Sequence, residues 1–322
     1  MPLPVRPPLS ANVRAGLCML AAMAAFVVND GLVKLASEDM GVGQILAVRG
    51  LMATAILAAF AFWLGAFRPL RTVLQPMLLL RTLADILATL TYVSALRALP
   101  LANTTAIFQA LPLAVTLGAA LFFGERVGWR RWTAIAVGFL GVVIIVRPGL
   151  EGFTTASIYV LLSVVCAATR DLATRRLPAG IPSLFISMTT ALAVSLTGWA
   201  MLPFEGWQPM AAPQVLTLGC AAVLITIGYV FIVEAMRAGD ISFVAPFRYS
   251  VLVFALLIGV LVFGERPDGF VLLGSLIIVG SGIYTLYRER VRGGSLPATT
   301  SLPGRAGAMA VVKKIGDKVE AE

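Results

Sequence analysis

Ten stretches of about 18 to 24 mostly apolar residues recur along the chain, each long enough at about 1.5 Å per residue to cross the roughly 30 Å hydrocarbon core of a bilayer. They lie near residues 15–37, 43–65, 76–96, 101–123, 131–147, 154–175, 182–203, 213–236, 242–263 and 267–287. Composition fits that solvent: 59% of the 322 residues are hydrophobic and 13% are charged, against about 25% charged in soluble domains. Too little polar surface remains to cover a water-soluble enzyme. The chain has no histidine, which excludes Ser-His-Asp and Cys-His triads and every His-bearing metal site. Cys18, Cys166 and Cys220 each sit inside an apolar run and read as small core hydrophobes, not as a disulfide framework or thiolate cluster. Neither a cofactor nor a metal site is expected.

The net charge of +9 is a topology signal, not a nucleic-acid footprint, because Lys and Arg alternate in abundance from loop to loop. With the N-terminus in the cytoplasm, inside segments hold Arg6, Arg14, Arg68, Arg71, Arg126, Arg130, Arg131, Arg175, Arg176, Arg237, Arg288, Arg290, Arg292, Arg305, Lys313, Lys314 and Lys318. Outside loops hold only Arg97, Arg147 and Arg266. This places both termini in the cytoplasm, with residues 1–14 a short leading segment and 293–322 a disordered tail lacking an apolar face. The first stretch contains Asn29, Asp30 and Lys34 with no small-residue cleavage site after it, so it reads as a spanning helix and not a signal peptide. Trp63, Trp129, Trp132, Trp199 and Trp207 fall near segment ends, as an interfacial aromatic belt requires.

An internal repeat organises the ten spans. Ala95-Leu96-Arg97 and Phe123-Gly124-Glu125-Arg126 return as Ala235-Met236-Arg237 and Phe263-Gly264-Glu265-Arg266, at a constant offset of 140 residues. Asp30 and Lys34 correspond to Asp171 and Arg175 at an offset of 141. The repeats cover residues 15–147 and 154–287 and hold five helices each, so the second copy enters the membrane from the opposite side. The expected fold is an all-α integral membrane protein of ten transmembrane helices, arranged as two inverted five-helix repeats around a central cavity. That is an architecture suited to alternating access.

These residues resemble the EamA-type members of the drug/metabolite transporter superfamily: the two Gly-Glu-Arg turns, the Ala-x-Arg before each fourth helix, and the glycine-spaced final helix of each half. The resemblance covers about residues 15–288. Asn29-Asp30-x-x-x-Lys34, Gln44 through Arg49, Ala245-Pro246-Phe247-Arg248-Tyr249 and the run from Gly264 are similar to the branch that includes riboflavin and S-adenosylmethionine uptake carriers. The resemblance implies secondary transport without ATP hydrolysis, and the chain has no Gly-x-x-x-x-Gly-Lys-Ser/Thr loop.

Ionisable residues within the spans carry the chemistry, because each costs at least about 2.5 kcal/mol at mid-membrane and so faces a cavity or a partner. Asp30 with Lys34, Arg81 with Asp85, and Asp171 with Arg175 are four residues apart on one helical face and can neutralise each other locally. Arg49 and Arg248 have no acid within reach on their own helices and are the leading anion-binding candidates. Pro246 disturbs the helix beside Arg248, and Tyr249 offers a ring and a hydroxyl. Gln109 lies deep in the fourth helix. The expected substrate site is thus Arg49, Arg248, Tyr249, Gln109, Asp85 and Asp30, with Tyr92 and Tyr229 as candidate aromatic walls. Asp30, Asp85 and Glu234 are alternative proton carriers; Glu125 and Glu265 are structural turns.

The expected function is secondary-active transport of a small anionic or zwitterionic metabolite, vitamin- or nucleoside-like, across a bacterial inner membrane. The expected partners are that solute, the lipid bilayer and coupling protons. Export of amino acids or a metallophore is the alternative within the class. A channel or non-transporting scaffold is the alternative outside it, and the sequence does not fix the oligomeric state.

Overall fold

The computed structural model describes residues 11–124, 128–148, 154–178, 180–238 and 244–291. Ten helices in it are long and apolar enough to cross a membrane: α1 (Ala11–Asp39), α2 (Val42–Trp63), α3 (Pro76–Ala98), α4 (Leu101–Phe123), α5 (Trp129–Val146), α6 (Thr155–Arg175), α7 (Ser183–Glu205), α8 (Ala212–Ala238), α9 (Pro246–Phe263) and α10 (Gly269–Val291). They match the ten apolar stretches to within several residues. Among the described residues there is no β-strand. Helix α4 breaks at Gln109 and Ala110, between segments Leu101–Phe108 and Leu111–Phe123, where Pro112 cannot donate a backbone bond. Its counterpart α9 opens in a 3-10 turn, Ala245–Tyr249, that contains Pro246.

Helices α4 and α9 end alike. Gly124 (φ 65°) and Gly264 (φ 62°) adopt the left-handed conformation that closes a helix, and their N–H groups bond back to the carbonyls of Ala119 and Gly259. Glycine pays no steric cost there, which explains its place in both copies of the repeated turn. The two turns lie on opposite faces of the bundle. Both Glu265 carboxylate oxygens accept from the N–H of Leu101 at 2.9 and 2.8 Å, so the Gly264 turn sits at the start of α4, while Gly124 sits at its far end. The repeats are therefore inverted. Glu125, like Arg6, Arg126 and the tail 293–322, lies outside the described residues.

Helix pairing follows the same two-fold exchange, which converts α1 into α6, α2 into α7, α3 into α8, α4 into α9 and α5 into α10. The four most extensive contacts are α1 with α8, its image α3 with α6, and the self-paired α2 with α7 and α5 with α10. Individual contacts repeat as well. Gly31 of α1 faces Ile258 of α9, and in the other half Gly118 of α4 faces Leu172 of α6. Lys34 lies over the Phe263 ring and Arg176 over the Phe123 ring.

The self-paired seams are built on glycine. A Cβ on Gly198 would sit 2.3 Å from the Ala47 nitrogen and 2.5 Å from the Gly43 oxygen; one on Gly141 would sit 2.9 Å from the Gly274 oxygen. The small-residue stripe from Gly138 to Gly141 thus packs against α10 of the same chain.

Buried residues fall into different patterns on the two sides of the membrane. On the far side, opposite the start of α1, one core joins α1, α2, α3, α4, α7, α8 and α9 through residues such as Val33, Met40, Ile45, Leu96, Leu101, Leu218 and Ala255, and a second joins α3, α4, α5, α6, α9 and α10 through residues such as Ala95, Ile145, Val160 and Val271. On the side where α1 begins, the buried residues divide. Met19, Ala22 and Met23 pack with Ile232, Ala235 and Val244, while Ala88, Leu111 and Val115 pack with Ala167, Ala168 and Leu172.

A Cβ at Gly198 meets backbone that cannot yield. Gly198→Ala is expected to cost about 1–3 kcal/mol and to lower the thermal midpoint of the solubilised protein by several degrees. Gly280, with nothing within 4 Å of its Cβ position, is the control. Gly280→Ala should leave the midpoint unchanged or raise it, since alanine is favoured in a helix by about 1 kcal/mol.

Candidate solute-binding site

Nine residues before the end of α1, Asp30 accepts from the Tyr92 hydroxyl of α3 at 2.7 Å and from the Asn29 amide at 2.9 Å. The Asn29 amide oxygen in turn accepts from Arg49 of α2 at 3.1 Å. Arg49 lies within electrostatic reach of Asp30, and so does Tyr229 of α8 of Arg49. Asp30 is not paired with Lys34, although the two share a helical face. Lys34 reaches Glu265 at 2.8 Å and the Leu99 carbonyl at 2.5 Å. The backbone between α3 and α4 and the turn after α9 converge on that ammonium and satisfy it more fully than one carboxylate a turn away. Glu265 is thus a clasp: it pairs with Lys34 and caps the start of α4.

A second polar cluster lies nearer the opposite face. Arg170 of α6 donates from Nη1 to Asp85 of α3 and from Nε to Asp171, both at 2.9 Å. Arg81 stands 3.9 Å from Asp85 and donates to the hydroxyls of Thr174 and Thr190 at 3.1 and 2.5 Å. Asp171 therefore pairs with its neighbour Arg170. Arg248, in the first turn of α9, is within electrostatic reach of Asp171 and Arg170. Asp85, Asp171 and Arg170 keep about a fifth of their side-chain surface accessible (18%, 19% and 23%). They border open space instead of being sealed in protein.

Helix α3 links the two clusters. Asp85 and Tyr92 are seven residues apart, hence on one face and about 10 Å apart along the axis. Tyr229 lies between them. It packs edge-on against Phe26 at 5.4 Å and is within electrostatic reach of Arg170, Asp85, Arg81 and Asp171 as well as Arg49. Its 49% exposure, among so many charged neighbours, makes it a candidate wall for a chamber. Such a chamber would lie between the two separate packing groups of the bundle half where α1 begins.

The other expected residues are placed elsewhere or at its edge. Glu234 pairs with Arg14 at 2.6 Å, joining the start of α1 to the end of α8 and standing apart from the central clusters. Gln109 is half-buried at the break in α4, next to Phe108, whose ring meets Tyr92 at 4.9 Å. Tyr249 is buried and turned toward α10, its hydroxyl so near Gly282 that a Cβ there would overlap it. It braces α9 while its neighbour Arg248 faces the charges. Thr174 and Thr190 were not legible as site residues, because hydroxyls in apolar helices bond their own preceding turn, as both also do here.

Further clasps close the far face. The Glu205 carboxylate accepts from the Gly43 N–H at 2.8 Å, and Gln44 exchanges two hydrogen bonds with the backbone of Gln208. Arg147 pairs with Asp268, which also caps α10 through the Val271 N–H. Burial raises the Asp268 carboxyl, but these bonds more than offset it and hold it below the usual carboxylate range. Among the described residues no group of three or more Cys, Asp or Glu side chains is placed to hold a metal ion.

The sequence matches the EamA-like transporter family twice, over residues 14–147 and 154–287. The chain belongs to that family. This EamA-family protein is 30% identical to the riboflavin transporter of Vibrio cholerae over 273 residues, 83% of this chain and 91% of that one. It is 26% identical to the S-adenosylmethionine uptake transporter of Rickettsia felis, over 81% and 88% of the two chains. It is 29% identical to the pseudopaline exporter CntI of Pseudomonas aeruginosa, over 81% and 92%. A crystal structure 20% identical in sequence superposes with a TM-score of 0.58, covering 86% of this chain and 98% of that one, and shows the shared fold. The protein is a multi-pass membrane transporter of the drug/metabolite transporter superfamily, not an enzyme.

Removing one member of the part-buried Lys34–Glu265 pair leaves an uncompensated charge, which in a fully buried pair costs about 3–5 kcal/mol. Glu265→Gln is expected to lower the thermal midpoint more than the double replacement Lys34→Met/Glu265→Gln does. A double-mutant cycle reads that coupling.

Proposed function

We propose that this protein is a secondary-active carrier that moves a small organic metabolite with an anionic or zwitterionic group by alternating access. One observation carries the reading. Around the chamber four guanidinium groups, Arg49, Arg81, Arg170 and Arg248, face three carboxylates, Asp30, Asp85 and Asp171. Arg14, Lys34, Glu234 and Glu265 pair off toward the two faces. One positive charge in excess, held where water is scarce, favours a solute that brings a negative one.

Arg49 and Arg248 are the anion contacts in this reading, with Asp30 and Asp85 ordering the guanidinium groups. Tyr92 and Tyr229 offer ring faces to a planar or apolar part of the solute, and Gln109 offers an amide. The separation of the α1–α8 packing group from the α3–α6 group on the side where α1 begins, against a far-side core that joins α1, α3, α4, α8 and α9, supports a chamber open to the first side and closed to the second. The excess of Lys and Arg near the α1 side supports a cytoplasmic location for that side, hence an inward-facing state in a bacterial inner membrane with both termini in the cytoplasm. The likeness to riboflavin and S-adenosylmethionine carriers favours uptake; the likeness to a pseudopaline exporter supports efflux as the second reading.

Labelled riboflavin, S-adenosylmethionine and amino-acid-derived chelators, offered to right-side-out and inverted vesicles, separate the two directions. Saturable counterflow is expected and would be absent from a channel or scaffold. A charge-assisted hydrogen bond is worth about 1.5–3 kcal/mol, so Arg49→Ala and Arg248→Ala should each weaken apparent affinity roughly 10- to 150-fold. Undiminished transport by both variants would reject their role.

A further inference from the structure

The two-fold exchange sets Asn29-Asp30 of α1 against Arg170-Asp171 of α6. The aspartates are counterparts; the residues before them are not. Asp171 is bonded by the Arg170 guanidinium, which bonds Asp85 as well. Asp30 is bonded by neutral donors, the Asn29 amide and the Tyr92 hydroxyl, and Arg49 is hydrogen-bonded to Asn29. A proton arriving at Asp85 or Asp171 must displace a guanidinium. At Asp30 it meets an amide and a hydroxyl.

We propose that Asp30 is the proton-binding site that couples transport to the proton gradient, and that its counterpart Asp171 is a fixed charge. The proposal rests on the carrier reading above and adds the coupling ion to it. The groups facing Asp30 from the helices packed on α1 are Arg49 of α2, Tyr92 and, two turns away, Asp85 of α3, and Tyr229 of α8. Helix α4 presents no charged residue. Arg248 lies at the opposite end of α9, and Glu265, beyond the other end, is engaged with Lys34. A proton from water on one side of the membrane bonds to a carboxylate oxygen of Asp30, and the new O–H donates to the Tyr92 oxygen. Arg49 then loses its counter-charge, so the Asp30–Arg49 cluster passes from neutral to singly positive and accepts an anionic solute. On the other side the same O–H bond breaks, the proton returns to water and the solute is released. Proton and anion travel together.

Infrared difference titration of the full-length protein in lipid, labelled with carboxyl-13C aspartate, tests this without any solute, so its failure is distinct from failure of the transport reading. One protonated-aspartate C=O band of a water-poor site should grow as pH falls, persist in Asp85→Asn and Asp171→Asn, and vanish in Asp30→Asn. Asn29→Arg, which gives Asp30 the neighbour that Asp171 has, should lower the midpoint of that band by about one pH unit or more. If Asp30→Asn does not fold, persistence in the other two variants together with the Asn29→Arg shift decides the assignment. A band that survives Asp30→Asn, disappears in Asp85→Asn or Asp171→Asn, or keeps its midpoint in Asn29→Arg would overturn the proposal.

Discussion

Each copy of the repeat crosses the bilayer five times, and an odd number of crossings forces the second copy to run the other way. The remaining architecture hangs on that parity. Helices α1 and α8 pack antiparallel because one copy has been turned over, and α3 with α6 is the same contact seen from the other side. The parity also brings the Gly264 turn to the start of α4, where Glu265 can cap a helix from the other half. Two copies facing the same way would have set like ends together, leaving no cavity with comparable walls toward both solutions.

Within this frame the ionisable residues divide by depth. Those near the faces act as fastenings: Arg14 to Glu234, Lys34 to Glu265, Arg147 to Asp268. They tie the end of one helix to a helix or turn distant in sequence. Those one to three turns inside do not reduce to separate pairs. Arg170 spans two carboxylates, Arg81 adds two hydroxyls, and Asn29 stands between Arg49 and Asp30. In the proposed carrier, a shared network of this kind would let a solute exchange partners with the charges, whereas an isolated pair would have to be broken outright.

The fold was legible because its signals are local or periodic. Apolar runs fix the spans, arginine spacing gives their alternation, and the 140-residue offset gives the duplication and hence the inversion. The site was legible only in part. Arg49, Asp30, Asp85 and Arg248 announce themselves as charges inside apolar helices, and the structure brings them to two neighbouring clusters. Their partners are another matter. A spacing of four made Asp30 a candidate partner for Lys34, but the ammonium finds Glu265, more than two hundred residues away, and no periodicity reports such a contact. Tyr249 looked like a substrate contact because it adjoins Arg248, yet successive residues of a tight turn point in different directions, and it packs against Gly282 of α10 instead. Glu205 and Gln44 meet partners on other elements for which the sequence holds no local signal.

The glycine contacts of α2 with α7 and of α5 with α10 bring backbone against backbone, with no room for an added methyl group. Walls joined so tightly do not part to let a molecule slip through sideways. In the proposed carrier these two seams are therefore shut to cargo arriving from the surrounding lipid.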